Sequence, residues 1–160
     1  MAEPKSSSTN AADREIVITR VFDAPRELVF KAWTEPNHVA HWWGPRGFTS
    51  TIHEMDVRPG GVWKLVMHGP DGTDYPNKII FDEVAPPERI VYTNSGGKKG
   101  GPSAQFQNTV TFDEQSGKTR LTMRMLFPSS EARELVVKEY RAIEGGNQIM
   151  DRLAEYLATM

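Results

Sequence analysis

Six segments with the composition of β-strands follow one another through the middle of this 160-residue chain, separated by short turns. They are residues 48–57, 62–68, 75–84, 89–94, 105–112 and 119–127. Their connectors hold proline, glycine and aspartate in combinations that form tight turns. A parallel pair of strands needs a long crossover connection, so such short connectors predict antiparallel neighbours in one sheet.

A seventh strand and two short helices are predicted ahead of this run. Residues 15–23 are rich in β-branched side chains and predict the strand. Asp23 is placed to cap a helix that has Pro25 in its first turn. Pro36 begins a second short helix, which the Gly44-Pro45 pair ends.

The C-terminal part of the chain has the pattern of one long helix. It begins at Ser129 or Ser130, and apolar residues recur at helical spacing through residues 135–157. Gly145 and Gly146 lie in its middle, where we expect them to bend or weaken it. These elements predict an α+β fold, in which a curved antiparallel sheet wraps around the long terminal helix and the two short helices close one end.

Composition narrows the class of protein further. Residues 1–14 are poor in apolar side chains and are predicted to be a disordered tail, which leaves residues 15–160 as one domain. The net charge of −2 gives no basic field for nucleic acid or acidic membranes, so neither is expected as a partner. Cysteine is absent, and we expect a cytoplasmic protein.

Three of the four tryptophans, Trp33, Trp42 and Trp43, fall within eleven residues. Each such ring can bury about 150–250 Å² and needs packing partners. Two interpretations stay open at this point. The rings form a packed core under one end of the sheet, or they form the wall of a small-molecule cavity.

Several short motifs follow one another in a fixed order along the chain. They are RVFDAP (residues 20–25), AWTEP (32–36), WWGP (42–45), DVRPGG (56–61), DG with YP (71–76), PER (87–89) and DRLAEYL (151–157). With the order of the elements, they resemble the START/Bet v1-like superfamily, which has the helix-grip fold. Within it, the chain is similar to the branch related to the C-terminal domain of the activator of Hsp90 ATPase.

The resemblance implies a cavity between the sheet and the last helix. Relatives use this cavity for apolar small molecules, a few carry out chemistry in it, and others bind protein partners. Members of the branch often have a Gly-Trp pair in the last helix, whereas Gly146 is followed here by Asn147. The exchange predicts a larger interior, or an amide that reaches a ligand.

Strand alternation predicts which side chains line that cavity, since every second residue faces the same side of a sheet. The candidate ligand-binding residues are Trp63, Leu65, Met67, Tyr75, Tyr92, Met123, Met125, Asn147, Ile149 and Leu153. Methionine adapts to irregular shapes, which suits such a lining. Tyr75, Tyr92, His53 or Asn147 are expected to supply the polar groups that orient a ligand.

The first functional hypothesis is therefore a non-catalytic protein that holds an apolar small molecule. An interaction module with a chaperone partner is the alternative implied by the resemblance, and a cyclase or hydrolase that uses a pocket carboxylate or histidine is a third. No catalytic residue is assigned, because no nucleophile elbow of the form Gly-x-Ser-x-Gly occurs. No cofactor is assigned either. The oligomeric state stays open, with a homodimer as one alternative.

Other candidate motifs favour structural interpretations. His38 and His41 share a helix face with Glu35, but zinc requires further ligands, so no metal site is assigned. The glycine-rich segment at 96–101 lacks the Ser/Thr that follows Lys in a phosphate loop, and a mobile hairpin loop is expected. Asp56 and Arg58 are expected to pin a turn rather than to catalyse a reaction.

Overall fold

The computed structural model describes residues 11–97 and 104–160, which form one sheet covered by helices. Every neighbouring pair of strands is antiparallel, and the order across the sheet is β1-β7-β6-β5-β4-β3-β2. The strands are β1 Glu15–Phe22, β2 Thr49–Met55, β3 Val62–His68, β4 Asp74–Ala85, β5 Arg89–Gly96, β6 Ala104–Gln115 and β7 Lys118–Leu126. The seven predicted strands and their antiparallel pairing are thereby confirmed.

Two predicted segments fall wholly or partly outside the described residues. Residues 1–10 of the expected tail lie outside the described residues, and residues 98–101 of the glycine-rich segment also lie outside them. Ala11–Arg14, which were assigned to the tail, instead form a 3-10 helix. The Arg14 side chain donates to the Phe127 carbonyl at 3.0 Å, and the Phe127 N–H donates to the Arg14 carbonyl at 2.8 Å. Through these two hydrogen bonds to Phe127, the residues that the composition alone assigned to a tail are attached to the domain.

Four helices complete the described fold. They are α1 Arg26–Thr34, α2 Pro36–Val39, α3 Ser130–Glu139 and α4 Ala142–Leu157. Pro36 occupies the first turn of α2, as predicted. The prediction for Asp23 was wrong, because the residue that precedes α1 is Pro25, whose carbonyl accepts from Leu28 and Val29. None of the described helices is long and apolar enough to cross a membrane.

The predicted single terminal helix is in fact two helices. Ser129 caps α3, since its hydroxyl accepts a hydrogen bond from the Ala132 N–H at 3.1 Å. The break comes at Arg141, which has a left-handed backbone with φ of 49°. This conformation disfavours helix continuation in an L-residue, and the second helix begins directly after it.

Gly145 and Gly146 do not interrupt α4, contrary to the expectation of a bend there. They lie where α4 touches its neighbours most closely. A Cβ on Gly146 would clash with Cδ1 of Ile18 on β1, and a Cβ on Gly145 would come within 3.2 Å of Cγ of Pro45. Gly146 therefore allows the close approach of α4 to β1, and Gly145 allows its close approach to the loop before β2.

The tryptophans form a packed cluster at one end of the sheet. Trp33 and Trp42 are fully buried, and their ring centroids are 5.0 Å apart in an edge-on arrangement. The Trp42 ring N–H donates to the Ala32 carbonyl at 3.1 Å. Trp43 lies 4.8 Å from Trp63 of β3, so the cluster joins the short helices to the sheet.

Arg152 of α4 ties the terminal helix to the segment that follows the tryptophans. Its guanidinium donates to the carbonyls of Gly44 at 2.8 Å and Phe48 at 3.1 Å. It also reaches the carbonyls of His41 and Pro45, each at 3.2 Å. Burial lowers the pKa of Arg152, and the neighbouring charge of Arg46 adds to that effect.

In the turn after β2, Asp56 and Arg58 make the contacts expected of residues that pin a turn. The Arg58 side chain donates to the Asp56 carboxylate at 2.7 Å, and the Arg58 N–H donates to the Asp56 carbonyl at 3.0 Å. A Cβ on Gly61 would overlap the Asp56 carbonyl oxygen, so the tight path requires glycine.

A double-mutant cycle tests the contact between Gly146 and Ile18. Alanine in a helix is about 1 kcal/mol better than glycine, but overpacking a core costs about 1–3 kcal/mol. We expect Gly146→Ala to lower the free energy of unfolding in the natural background. In an Ile18→Val background, which lacks the clashing Cδ1, the same exchange should be neutral or stabilising. Urea denaturation of the four proteins measures this coupling, and purely additive effects would contradict the assigned contact.

A second pair of variants compares the contribution of Arg152 to stability with that of its exposed neighbour Arg46. Arg152→Met leaves several carbonyls without their charged donor, and we expect the free energy of unfolding to fall by about 2 kcal/mol. Arg46 forms an exposed ion pair with Glu155, so Arg46→Met should have a smaller effect that disappears at high salt. Urea denaturation at low and high salt measures both, and equal, salt-sensitive losses would contradict the anchoring role of Arg152.

Candidate ligand-binding site

A cavity of about 470 Å³ lies between the sheet and the two C-terminal helices. Strand alternation places every second residue of β3 to β7 on the covered side, which is called the inner face below. The helices α3 and α4 cross this face, and small residues of α4 leave space beneath its first two turns. Those residues are Ala142, Gly145 and Gly146.

The deep part of the lining is mainly apolar. It combines inner-face side chains with residues from the tryptophan segment and from α3 and α4. The apolar side chains are Trp43, Phe48, Met67, Phe106, Met123, Met125, Phe127, Val136 and Ile149. Of the clustered tryptophans, Trp33 and Trp42 are core residues and Trp43 lines the cavity, so each of the two interpretations describes part of the cluster.

Six of the ten predicted site residues line the cavity. They are Met67, Tyr75, Tyr92, Met123, Met125 and Ile149. Trp63, Leu65 and Leu153 have the predicted inward direction but lie outside the lining, with at most 1% of their surface exposed. They belong to the buried hydrophobic core, together with Met150 and Leu157 of α4.

Asn147 is exposed and does not face the sheet, which corrects the expectation that it enlarges the interior or reaches a ligand. Its side-chain amide donates to the Ile143 carbonyl at 3.0 Å on the outer side of α4. His53 is also exposed, on β2 at the edge of the sheet, and does not line the cavity. The residues of α4 that face the cavity include Gly145, Gly146 and Ile149 instead.

The polar groups deep in the cavity come from two neighbouring strands. Tyr92 of β5 and Asn108 of β6 are directly opposite in the register, and the Asn108 amide donates to the Tyr92 hydroxyl at 2.6 Å. Asn94 follows two residues later on the same face of β5. These three side chains, the Asn-Tyr cluster, are each at most 8% exposed.

Sequence analysis named Tyr92 but missed both asparagines. A signal was present, because each asparagine occupies an inward position in a strand whose other inward positions are apolar or aromatic. On β5 the sequence of inward residues is Ile90, Tyr92, Asn94, and on β6 Asn108 lies between Phe106 and Val110. A polar side chain at such a position is a mark of function or of a hydrogen-bond network.

Charged side chains surround the opening of the cavity. Arg46, Glu139, Arg141 and Glu144 belong to the lining and are exposed, so the cavity opens to solvent between α4, the α3–α4 junction and the loop before β2. Glu139 and Glu144 are the carboxylates of the described lining, and no histidine occurs in it.

Three of the four histidines, His38, His41 and His68, make contacts with other side chains. The His38 ring lies 2.5 Å from the Tyr156 hydroxyl, and His41 stacks on the same tyrosine ring. His68 contacts Asp74 at 2.8 Å and Thr51 at 2.7 Å. Within residues 11–97 and 104–160, no group of three or more His, Cys, Asp or Glu side chains is placed to hold a metal ion.

The sheet, the terminal helix across its inner face and the cavity beneath it define a protein of the helix-grip class. A family model described as "Activator of Hsp90 ATPase homolog 1-like protein" matches residues 23–158. The chain belongs to that family. A search of curated protein sequences found no significant match.

Solved structures of bacterial proteins have the same fold. A protein from Mycobacterium smegmatis is 26% identical with a TM-score of 0.83, and the alignment covers 94% of each chain. A protein from Chromobacterium violaceum is also 26% identical, with a TM-score of 0.77 over 90% of this chain and 96% of that one. A protein from Arthrobacter aurescens, at 22% identity and a TM-score of 0.86, covers 94% of this chain and 90% of its own and supports the fold.

The buried Tyr92 hydroxyl predicts a loss of stability at alkaline pH. Burial raises its pKa above the ordinary value of 10.0, and the bond from Asn108 opposes this only in part. The unfolded chain therefore loses the proton first, and the free energy of unfolding should fall as pH rises above 10.0. Tyr92→Phe should make this decline less steep. Urea denaturation across that pH range measures it, and identical slopes would contradict the prediction.

Proposed function

We propose that this protein binds an apolar small molecule in the cavity between the sheet and α4. The observation that carries the proposal is the cavity itself, with a volume of about 470 Å³. Pockets for small molecules measure about 300–1,000 Å³ and combine an apolar lining with a few placed polar groups. The apolar wall and the Asn-Tyr cluster have this composition.

The energetics favour an apolar ligand. Burial of apolar surface contributes about 25 cal/mol per Å², so a ligand that covers Met123, Met125 and Phe127 gains most of its affinity from contact with the wall. Polar atoms at the bottom add orientation rather than bulk affinity. The exposed Arg46 and Glu144 at the opening remain hydrated while the ligand is held below them.

The alternative functions draw no comparable support from the described residues. Among the large apolar side chains that are more than a third exposed, Val17 and Val21 lie on β1, and Ile80 lies on β4 with three strands between. Single exposed apolar residues are normal on a protein surface, so they do not favour a docking patch. A chaperone partner and a homodimer therefore stay predictions, as does cytoplasmic location, which rests on the absence of cysteine.

A matched pair of isoleucine exchanges on α4 tests ligand binding. Ile149 lines the cavity, whereas Ile143 is 39% exposed and lies outside it. We expect the neutral dye N-phenyl-1-naphthylamine to bind and gain fluorescence. Ile149→Trp, which fills the space, should weaken the binding at least about tenfold, equivalent to about 1.4 kcal/mol. Ile143→Trp should leave the affinity unchanged.

Circular dichroism and thermal unfolding of both variants control for loss of structure. Failure of the dye to bind the natural protein, or equal weakening by both exchanges, would contradict binding in this cavity. Native mass spectrometry of protein purified from its host would then identify a ligand that remains bound during purification.

A further inference from the structure

The bottom of the cavity contains two buried hydrogen-bond acceptors that have no partner. They are Oδ1 of Asn94 and Oδ1 of Asn108, and the side chains that carry them are 8% and 2% exposed. A buried polar atom without a partner costs about 1–3 kcal/mol. Both of the buried side-chain acceptors without a partner among the described residues lie in this one lining, whereas the three buried donors without one, on Arg26, Trp33 and Trp63, lie outside it.

The orientation of the Asn108 amide follows from its neighbours. Its Nδ2 donates to the Tyr92 hydroxyl at 2.6 Å and faces the sulfur of Met123 at 3.9 Å. Thioether sulfur is a weak acceptor and cannot donate, so the amide nitrogen belongs on that side. The carbonyl oxygen of Asn108 is consequently the atom left without a partner.

The two asparagines are near enough to act on one chemical group. Tyr92 is opposite Asn108 and Asn94 is opposite Phe106, so Asn94 and Asn108 are diagonal neighbours on the inner face. Diagonal positions in an antiparallel pair are about 7–8 Å apart at the backbone, which is within reach of a group placed between them. Both oxygens accept hydrogen bonds and neither donates.

We propose that the ligand is an apolar molecule with a neutral hydrogen-bond donor at its buried end, a hydroxyl or an amine or amide N–H, which Asn94 and Asn108 recognise. This inference rests on the proposed function and names the chemical class of the ligand. The donor is neutral because the charged residues of the described lining, such as Arg46 and Glu144, lie at the opening and are exposed. A buried ion at the bottom would lack a counter-charge.

Two naphthalenes of nearly the same shape test this selectivity. The probe 2-naphthol has one O–H donor, and 2-methoxynaphthalene replaces that hydrogen with a methyl group. Apolar burial alone would favour the methyl ether by about fourfold, because it adds a carbon. Recognition by the asparagines should instead make 2-naphthol bind at least about tenfold tighter, as measured by calorimetry at neutral pH.

Asparagine exchanges connect the selectivity to the two oxygens. Asn94→Leu and Asn108→Leu keep the branched shape and the number of side-chain heavy atoms and remove the acceptors, so the preference for 2-naphthol should disappear in each. Asn147→Leu is the matched control, since Asn147 lies outside the cavity, and it should keep the natural preference. Asn94→Leu should also raise the midpoint of thermal unfolding, because it removes a buried acceptor without a partner.

The outcomes separate the two proposals. If neither naphthalene binds, the proposed function fails and the donor preference fails with it. If both bind with equal affinity, or if Asn94→Leu and Asn108→Leu keep the natural preference, ligand binding stands and recognition by the asparagines is overturned.

Discussion

The approach of α4 to β1 at Gly146 decides the interior of this protein. With no side chain there, the helix backbone comes into contact with Ile18, and Gly145 comes near Pro45 in the same way. The helix is thus held close to the sheet along one side. The same absence of side chains leaves open the space beside the first turns of α4, which is where the cavity lies. One local feature therefore produces both close packing and an open volume.

The second half of α4, unlike the first, leaves no open space and is packed in the core. Met150 and Leu153 are fully buried in the same hydrophobic core as the tryptophans, and no cavity residue comes from this part of the helix. Arg152 adds polar anchoring, because its guanidinium is shared among the carbonyls of the segment after Trp43. A rigid, filled end next to an open end suits a binding protein, since the ligand space is held by structure that does not depend on the ligand.

Among the described residues, the two buried side-chain acceptors without a partner both lie in the cavity. The orphan oxygens of Asn94 and Asn108 lie beside a tyrosine whose hydroxyl is fully buried and neutral. In a core of ordinary design these positions would hold apolar side chains, as Ile90, Phe106 and Val110 do on the same strands. Two buried acceptors without a hydrogen-bond donor, in a space large enough for a small molecule, are the observation on which the proposed ligand chemistry rests.

The sequence by itself determined the strands, their antiparallel pairing, the α+β class and the resemblance to the family, because strand alternation, turn residues and motif order are local properties. It also indicated Met123 and Met125 as lining residues, since inward direction on a strand follows from a period of two. Only the tertiary structure decided that Leu153 and Trp63 lie in the filled part of the core, that Asn147 points outward, and that the terminal helix breaks at Arg141. Those outcomes depend on how closely α4 approaches the sheet along its length, which is set by contacts between residues more than a hundred positions apart.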